Sequence, residues 1–304
     1  MSENFVDQLS FKDFLNESSK ESKITKAKAF NRLIAHSKNF FIVSGYGAFT
    51  PGYQIIITKE FIPSFGLVEE KNLDELQFLI KISKDYINKE YNKNSVIFEH
   101  GMCACIGGLD RAHLHVMSVN NKTSENSLTE SIDRTLYKRK AGIEYIMFNN
   151  YKLHNFHDIN HFIEEAKNDE SKKFEIKGKI LKINDIKNLS HNNWPKVTLN
   201  HIQKGGHYVY FKSDYDKSSF LTTNNFQTQF GRQVVYENEI KLDKTFSDKI
   251  KKIKSKNEYL QIWRWQNCKF ESEIIETVNS GKNKFRELEK FYKDEYKKFD
   301  FKVI

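Results

Sequence analysis

Apolar residues recur along this chain in two rhythms, one helical and one of strand type. Ile24, Ala27, Phe30, Leu33 and Ile34 fall on one helical face, so residues 23–37 are predicted as a helix behind a polar segment, residues 1–20. The run Phe40-Phe41-Ile42-Val43 and residues 54–58 read as strands around a turn at 45–52, where glycines and Pro51 break any helix. Leu73, Leu76, Leu79, Ile80, Tyr86 and Ile87 restore the helical period over residues 72–92, and strands at 94–99 and 111–119 follow. A sheet with a helix packed on it is the expected result.

Beyond residue 120 the pattern loosens. Residues 120–140 are polar and charged and read as an excursion, residues 143–148 as a short strand, and residues 159–167 as a helix. Alternating runs at 174–183, 196–202 and 207–211 predict another small sheet. From Ser272 onward the chain reads as amphipathic helix, with Ile275, Val278, Phe285, Leu288, Phe291 and Tyr292 on one side. The fold class expected is therefore α+β, an antiparallel sheet with packed helices followed by a second α+β part with a helical end. The divisions expected are 1–37 (polar segment and helix), 38–150 and 151–304.

Composition narrows the function classes. With 38 % hydrophobic and 29 % charged residues, the 304-residue chain reads as globular. It has no apolar run long enough to span a bilayer, and Met1-Ser2-Glu3-Asn4 lacks a basic, apolar leader, so a cytoplasmic location is expected. The net charge of +9 favours an anionic partner, but the lysines of residues 249–256 and 282–298 alternate with acids at helical spacing, which disfavours nucleic acid. Cys103, Cys105 and Cys268 form no disulfide framework and complete no recognisable metal set; no metal and no cofactor is expected.

The chemistry concentrates in Arg111-Ala112-His113-Leu114-His115-Val116-Met117. Side chains two apart on a strand share a face, so Arg111, His113 and His115 point together while Ala112, Leu114 and Val116 point away. A neutral imidazole is nucleophilic near neutral pH when its other nitrogen is fixed by a hydrogen bond. A surface pair, two satisfied core histidines and two metal ligands fit the same spacing. Upstream, Phe98-Glu99-His100-Gly101 runs from a strand into a turn, and Gly107-Gly108 just before the His strand would let backbone N–H groups approach an anion.

These residues resemble the histidine-triad (HIT) superfamily, whose signature is His-φ-His-φ-His-φ-φ with φ apolar. Residues 50–59 are similar to the family's strand leading to its P-K-x-H segment, the helix at 72–92 sits where its connecting helix lies, and Phe98-Glu99-His100-Gly101 is similar to the E-H-G turn of longer members. Phe226-Gln227-Thr228-Gln229-Phe230-Gly231-Arg232 is similar to their S-Q-x-x-R segment and Trp263-Arg264-Trp265 to their Trp-x-Trp, although a buried aromatic pair explains the tryptophans as well. The resemblance implies that His113 is the middle, nucleophilic histidine and His115 the third. Arg111 replaces the first and can hold a phosphate oxygen but cannot shuttle a proton. Ser44 or Gly45 stands near the ribose-gripping acid of small members, and Phe61 replaces the histidine after P-K-x.

The function expected is that of a nucleotide-phosphate hydrolase or nucleotidyltransferase working through a covalent nucleotidyl-histidine on His113. His115 and Arg111 assist, Glu99 orients the turn or an imidazole, and Gly107, Gly108, Gln229 and Arg232 bind the substrate phosphates. The partner expected is a small nucleotide or phosphorylated molecule, with no membrane and with a homodimer left open. An inactive HIT-like phosphate-ligand binder and a basic nucleic-acid-associated protein are the alternatives.

Overall fold

The computed structural model describes residues 32–60, 62, 64–65, 68–101, 112–138, 146–147, 174–176, 179–181, 207–213, 218–223, 229–252, 262–264 and 271–304. Along the chain lie β1 (Leu33–His36), β2 (Phe40–Ser44), β3 (Gln54–Thr58), α1 (Leu73–Tyr91), β4 (Asn94–Gly101), β5 (His113–Val119) and α2 (Glu125–Lys138). Then come β6 (Ile146–Met147), β7 (Phe174–Ile176), β8 (Lys179–Leu181), β9 (His207–Ser213), β10 (Ser218–Thr223), α3 (Phe230–Leu242), α4 (Lys244–Lys251), α5 (Glu271–Leu288), α6 (Lys293–Lys298) and β11 (Lys302–Val303). No described helix is long and apolar enough to cross a membrane.

Among the described residues nine strands form one sheet in the order β11-β1-β2-β3-β5-β4-β9-β10-β6, and every neighbouring pair is antiparallel. The α+β class and the antiparallel sheet with packed helices are as the sequence predicts. Because β5 lies between β3 and β4, both of its hydrogen-bonding edges are paired, and since every residue of β5 is buried, both of its faces are covered as well.

The two faces are covered differently. Alternation sends Ile42, Ile56, Ile97, Ala112, Leu114 and Val116 to one side, against Leu76, Leu79, Ile82 and Tyr86 of α1, Val278, Phe285 and Leu288 of α5, and Tyr296, Phe299 and Phe301. Phe78 anchors this aromatic layer, stacked on Phe299 at 5.5 Å and edge-on to Phe301 at 5.5 Å. Val43, Ile55, Ile57, Val96, Phe98, Met117 and Phe211 go to the other side, against Leu128 and Ile132 of α2, Phe230, Val234 and Val235 of α3, Ile250 of α4 and Trp263.

Four predictions from the pattern are corrected. Residues 33–36, expected to close a helix, are strand β1, paired to β2 and β11; residues 23–31 lie outside the described residues. The polar stretch after residue 120 contains helix α2, whose start is fixed by the Ser127 amide donating to the Ser124 hydroxyl at 3.2 Å, while the Ser131 and Thr135 hydroxyls donate back to the Ser127 and Ser131 carbonyls. Its sparse apolar stripe, Leu128 and Ile132, is enough to bury one face. The predicted second sheet divides: β7 and β8 pair with each other, but β9 joins β4 from Val96↔Ser213 to Gly101↔Tyr208. Finally, α5 turns Ile274, Val278, Phe285 and Leu288 inward, which leaves Ile275 exposed at 49 %, and Phe291, beyond the end of α5, is exposed at 63 %. The runs predicted at 159–167 and 196–202 lie outside the described residues.

Candidate active site

β5 is held in register on both sides, with His115 opposite Ile55 of β3 and Phe98 of β4, and His113 opposite Ile57. Its entry is fixed as well: Ala112 donates to the Ile62 carbonyl at 2.5 Å, and Thr58 donates to the Ala112 carbonyl at 3.2 Å. His113 and His115 therefore project to the same face, the one closed by α3, with their ring centroids 5.0 Å apart and planes at 74°. Both are nearly enclosed, 8 % and 9 % exposed.

A third imidazole joins them. His100 lies two residues past Phe98 on β4, and its ring centroid is 6.5 Å from that of His115. The amide N–H of Gly231, in the first turn of α3, donates to His100 Nε2 at 2.8 Å, so that nitrogen carries the lone pair and the ring proton sits on Nδ1. Close approach is why residue 231 is glycine, since a Cβ there would overlap the Phe98 ring.

His115 is the most constrained of the three. It stacks on Phe98 at 4.4 Å and 13°, and on Tyr53 at 5.9 Å and 18°. Tyr53 Oη lies 2.6 Å from His115 Nδ1. Burial, followed by repulsion from His113, His100 and Arg232, holds the His115 pKa well below the ordinary imidazole value, so the ring is neutral at neutral pH.

Arg232 stands behind Tyr53, its guanidinium carbon 5.2 Å from the Tyr53 and Phe49 ring centroids. It is 3 % exposed and donates from Nε to the Trp263 carbonyl at 2.8 Å, from one terminal nitrogen to the Tyr46 carbonyl at 3.0 Å, and from the other to the Gly47 carbonyl. The residue predicted to reach a phosphate thus ties α3 to the 46–47 turn and to Trp263, and acts on the imidazoles as a nearby fixed charge. Gln229 occupies the N-cap position of α3 in the left-handed region (φ 61°), half-buried, and its side chain makes no cap bond.

The predicted residues are thus only partly brought together. Glu99 projects to the opposite face, where its Oε1 accepts the Phe65 amide at 2.8 Å, away from the imidazoles. Arg111, Gly107, Gly108, Cys103, Cys105, Phe61 and Trp265 lie outside the described residues. Among the described residues no group of three His, Cys, Asp or Glu side chains is placed to hold a metal ion. Gly45 donates to the Tyr53 carbonyl at 3.0 Å, and a Cβ there would overlap the Tyr53 ring, which accounts for glycine at that position.

Sequence reasoning missed His100 and Tyr53 as members of the cluster. The alternation of 96, 98 and 100 on β4 was readable, but their adjacency to the His strand depends on a pairing register that no local pattern specifies. Tyr53 falls within the 50–59 run likened to the family's strand and carries no site role in that reading.

No protein-family model matches the chain, and no curated protein does. Among solved structures the chain is similar to yeast Ap4A phosphorylase Apa2, whose crystal structure is in complex with AMP, with a TM-score of 0.31 and 8 % sequence identity. The likeness covers 61 % of this chain and 56 % of that one, and it is a likeness of outline.

Proposed function

We propose that this protein is a nucleotide-phosphate hydrolase or nucleotidyltransferase that works through a covalent nucleotidyl-histidine at His113. The observation that carries the reading is the enclosed cluster in which His113 sits 5.0 Å from His115, a second imidazole kept neutral. The sequence resemblance to the histidine-triad superfamily assigns the nucleophile's position to His113. A ring nitrogen of His113 attacks phosphorus, the P–O bond to the leaving group breaks, and its electron pair departs with the leaving oxygen. A water or phosphate oxygen then attacks the phosphoramidate, the P–N bond breaks, and its electron pair returns to the ring; a proton from the attacking water passes to solvent.

Arg111 and the Gly107 and Gly108 amides are the proposed holders of the phosphate oxygens. The proposed site joins two parts of the chain, 38–150 and 151–304; the Gly231–His100 bond and the Arg232 clamp on the 46–47 turn support this.

The test is incubation of the full chain with mononucleotides, dinucleoside polyphosphates and nucleotide sugars, followed by intact-mass and tandem mass spectrometry. The expected result is a nucleotidyl mass on His113 that is absent from His113→Ala. Near wild-type turnover by His113→Ala on any substrate found would overturn the covalent reading. A second reading, a phosphate-ligand binder without turnover, is favoured by Arg111 in place of the family's first histidine; it predicts a thermal shift with a nucleotide but no adduct.

A further inference from the structure

The Tyr53–His115 contact does more than fill space. A phenol is a far better donor than a neutral imidazole N–H, and an imidazole lone pair is a better acceptor than a phenol oxygen, so at 2.6 Å the favoured arrangement is Tyr53 O–H donating to His115 Nδ1. That places the ring proton of His115 on Nε2. With Tyr53 1 % exposed, water cannot compete for the bond. Arg232, pinned by three carbonyls with its charge 5.2 Å from the Tyr53 centroid, strengthens the phenol as a donor. Gly45 leaves the space in which the Tyr53 ring lies parallel to His115.

We propose that Tyr53 is a positioning residue that fixes His115 as its Nε2–H tautomer, so that His115 donates a hydrogen bond to the phosphoryl group handled at His113 and keeps its own proton throughout. The proposal rests on the reading of His113 given above. No proton is exchanged at His115, so the ring acts as a preorganised donor and not as an acid. The same logic gives Arg232 its place: it touches Tyr53 and carbonyl oxygens, and influences the reaction through them.

The test uses the full chain and the variant Tyr53→Phe, which keeps the ring and its stacking. Nitrogen-15 NMR of the histidine side chains at pH 7 should show His115 protonated only at Nε2 in the wild type and a mixture of tautomers in Tyr53→Phe. Saturating inorganic phosphate should shift the His115 Nε2–H resonance. On any substrate turned over, Tyr53→Phe should lower kcat by about 10-fold to 100-fold, less than the ~10²–10³ of deleting a transition-state donor outright. KM should stay within about 3-fold and the pH midpoint of kcat/KM should not move.

A wild-type His115 protonated at Nδ1, a phosphate-insensitive Nε2–H, or a variant with unchanged tautomer and unchanged kcat each overturns the proposal. Absence of any His113 adduct instead overturns the covalent reading, while the tautomer and phosphate measurements still decide the role of Tyr53.

Discussion

The two faces of the central sheet are built from the same strands yet hold different kinds of side chain. Toward α1, α5 and α6 the interior is mainly aliphatic and aromatic, its buried carboxylates Glu75 and Glu99 each accepting hydrogen bonds, and Leu114 and Val116 meet it with no exposed surface. Toward α3 the same strand presents His113 and His115, within a layer that also encloses His100, Arg232 and Glu239. One face is stabilised by burial of apolar area; the other carries desolvated polar groups, each of which destabilises unless paired. A single strand can therefore separate stability from chemistry by alternation alone.

The sharpest way to break that comparison is to cut neighbours on opposite faces. His113→Ala should lower turnover by ~10³-fold or more, if it is the nucleophile, with little change in thermal midpoint. Leu114→Ala should do the reverse, costing about 2–5 kcal/mol in denaturant unfolding while the folded fraction keeps its specific activity. If Leu114→Ala lost activity without losing stability, the division between faces would fail.

Two glycines give a smaller contrast. Gly231→Ala drives a Cβ into the Phe98 ring beside His100 and should cost about 1–3 kcal/mol. Gly281→Ala, on α5, brings its Cβ 3.1 Å from an Ile34 methyl, a contact that a small shift relieves. Its helical gain over glycine, about 0.5–1 kcal/mol, should leave the net change near zero. Chemical denaturation of the two variants side by side checks both.

The titratable groups of the histidine face pull in opposite directions. His115 has a folded pKa below its unfolded value of about 6.5, so its contribution is present above that pH and is lost as the pH falls toward the folded pKa. Burial raises the Glu239 carboxyl to about 7, although the Asn120 amide and Lys93 partly offset it. Its contribution is present below the ordinary carboxyl range and is lost as the pH rises through about 7. Glu239→Gln should therefore gain ~5 °C in thermal midpoint over wild type between pH 5 and pH 8. A gap that does not widen would show that Glu239 ionises without penalty. The smallest effect is expected on the apolar face, where cutting the exposed Lys298–Asp74 pair with Lys298→Ala should change unfolding by no more than ~0.5 kcal/mol.

Much of this arrangement was legible in the residues. The alternation through 112–117 assigned both faces of β5, and the helical period of 72–92 located α1, because each is a local pattern with a buried consequence. β1 was misread because Leu33 and Ile34 fit a helical stripe as well as a strand, and only the pairing to β2 and β11 decides between them. Glu99 is expected from its position to orient the turn or an imidazole. Strand alternation sends it away from Phe98 and His100, a consequence available as soon as the strand is extended to residue 101. The triad-like reading, centred on His113, puts Arg111 in the first position, whereas the third imidazole of the described cluster comes from a neighbouring strand.

The pairing of β4 with β9 also sets the order of events during synthesis. β4 ends at Gly101 and its partner begins only at His207, so at ~5–20 residues per second the ribosome needs on the order of ten seconds to supply the missing neighbour. Until then the apolar strand Val96-Ile97-Phe98 offers an unpaired edge to any other nascent chain. Production of this protein should therefore depend on chaperone capacity and translation speed more steeply than its finished stability would suggest.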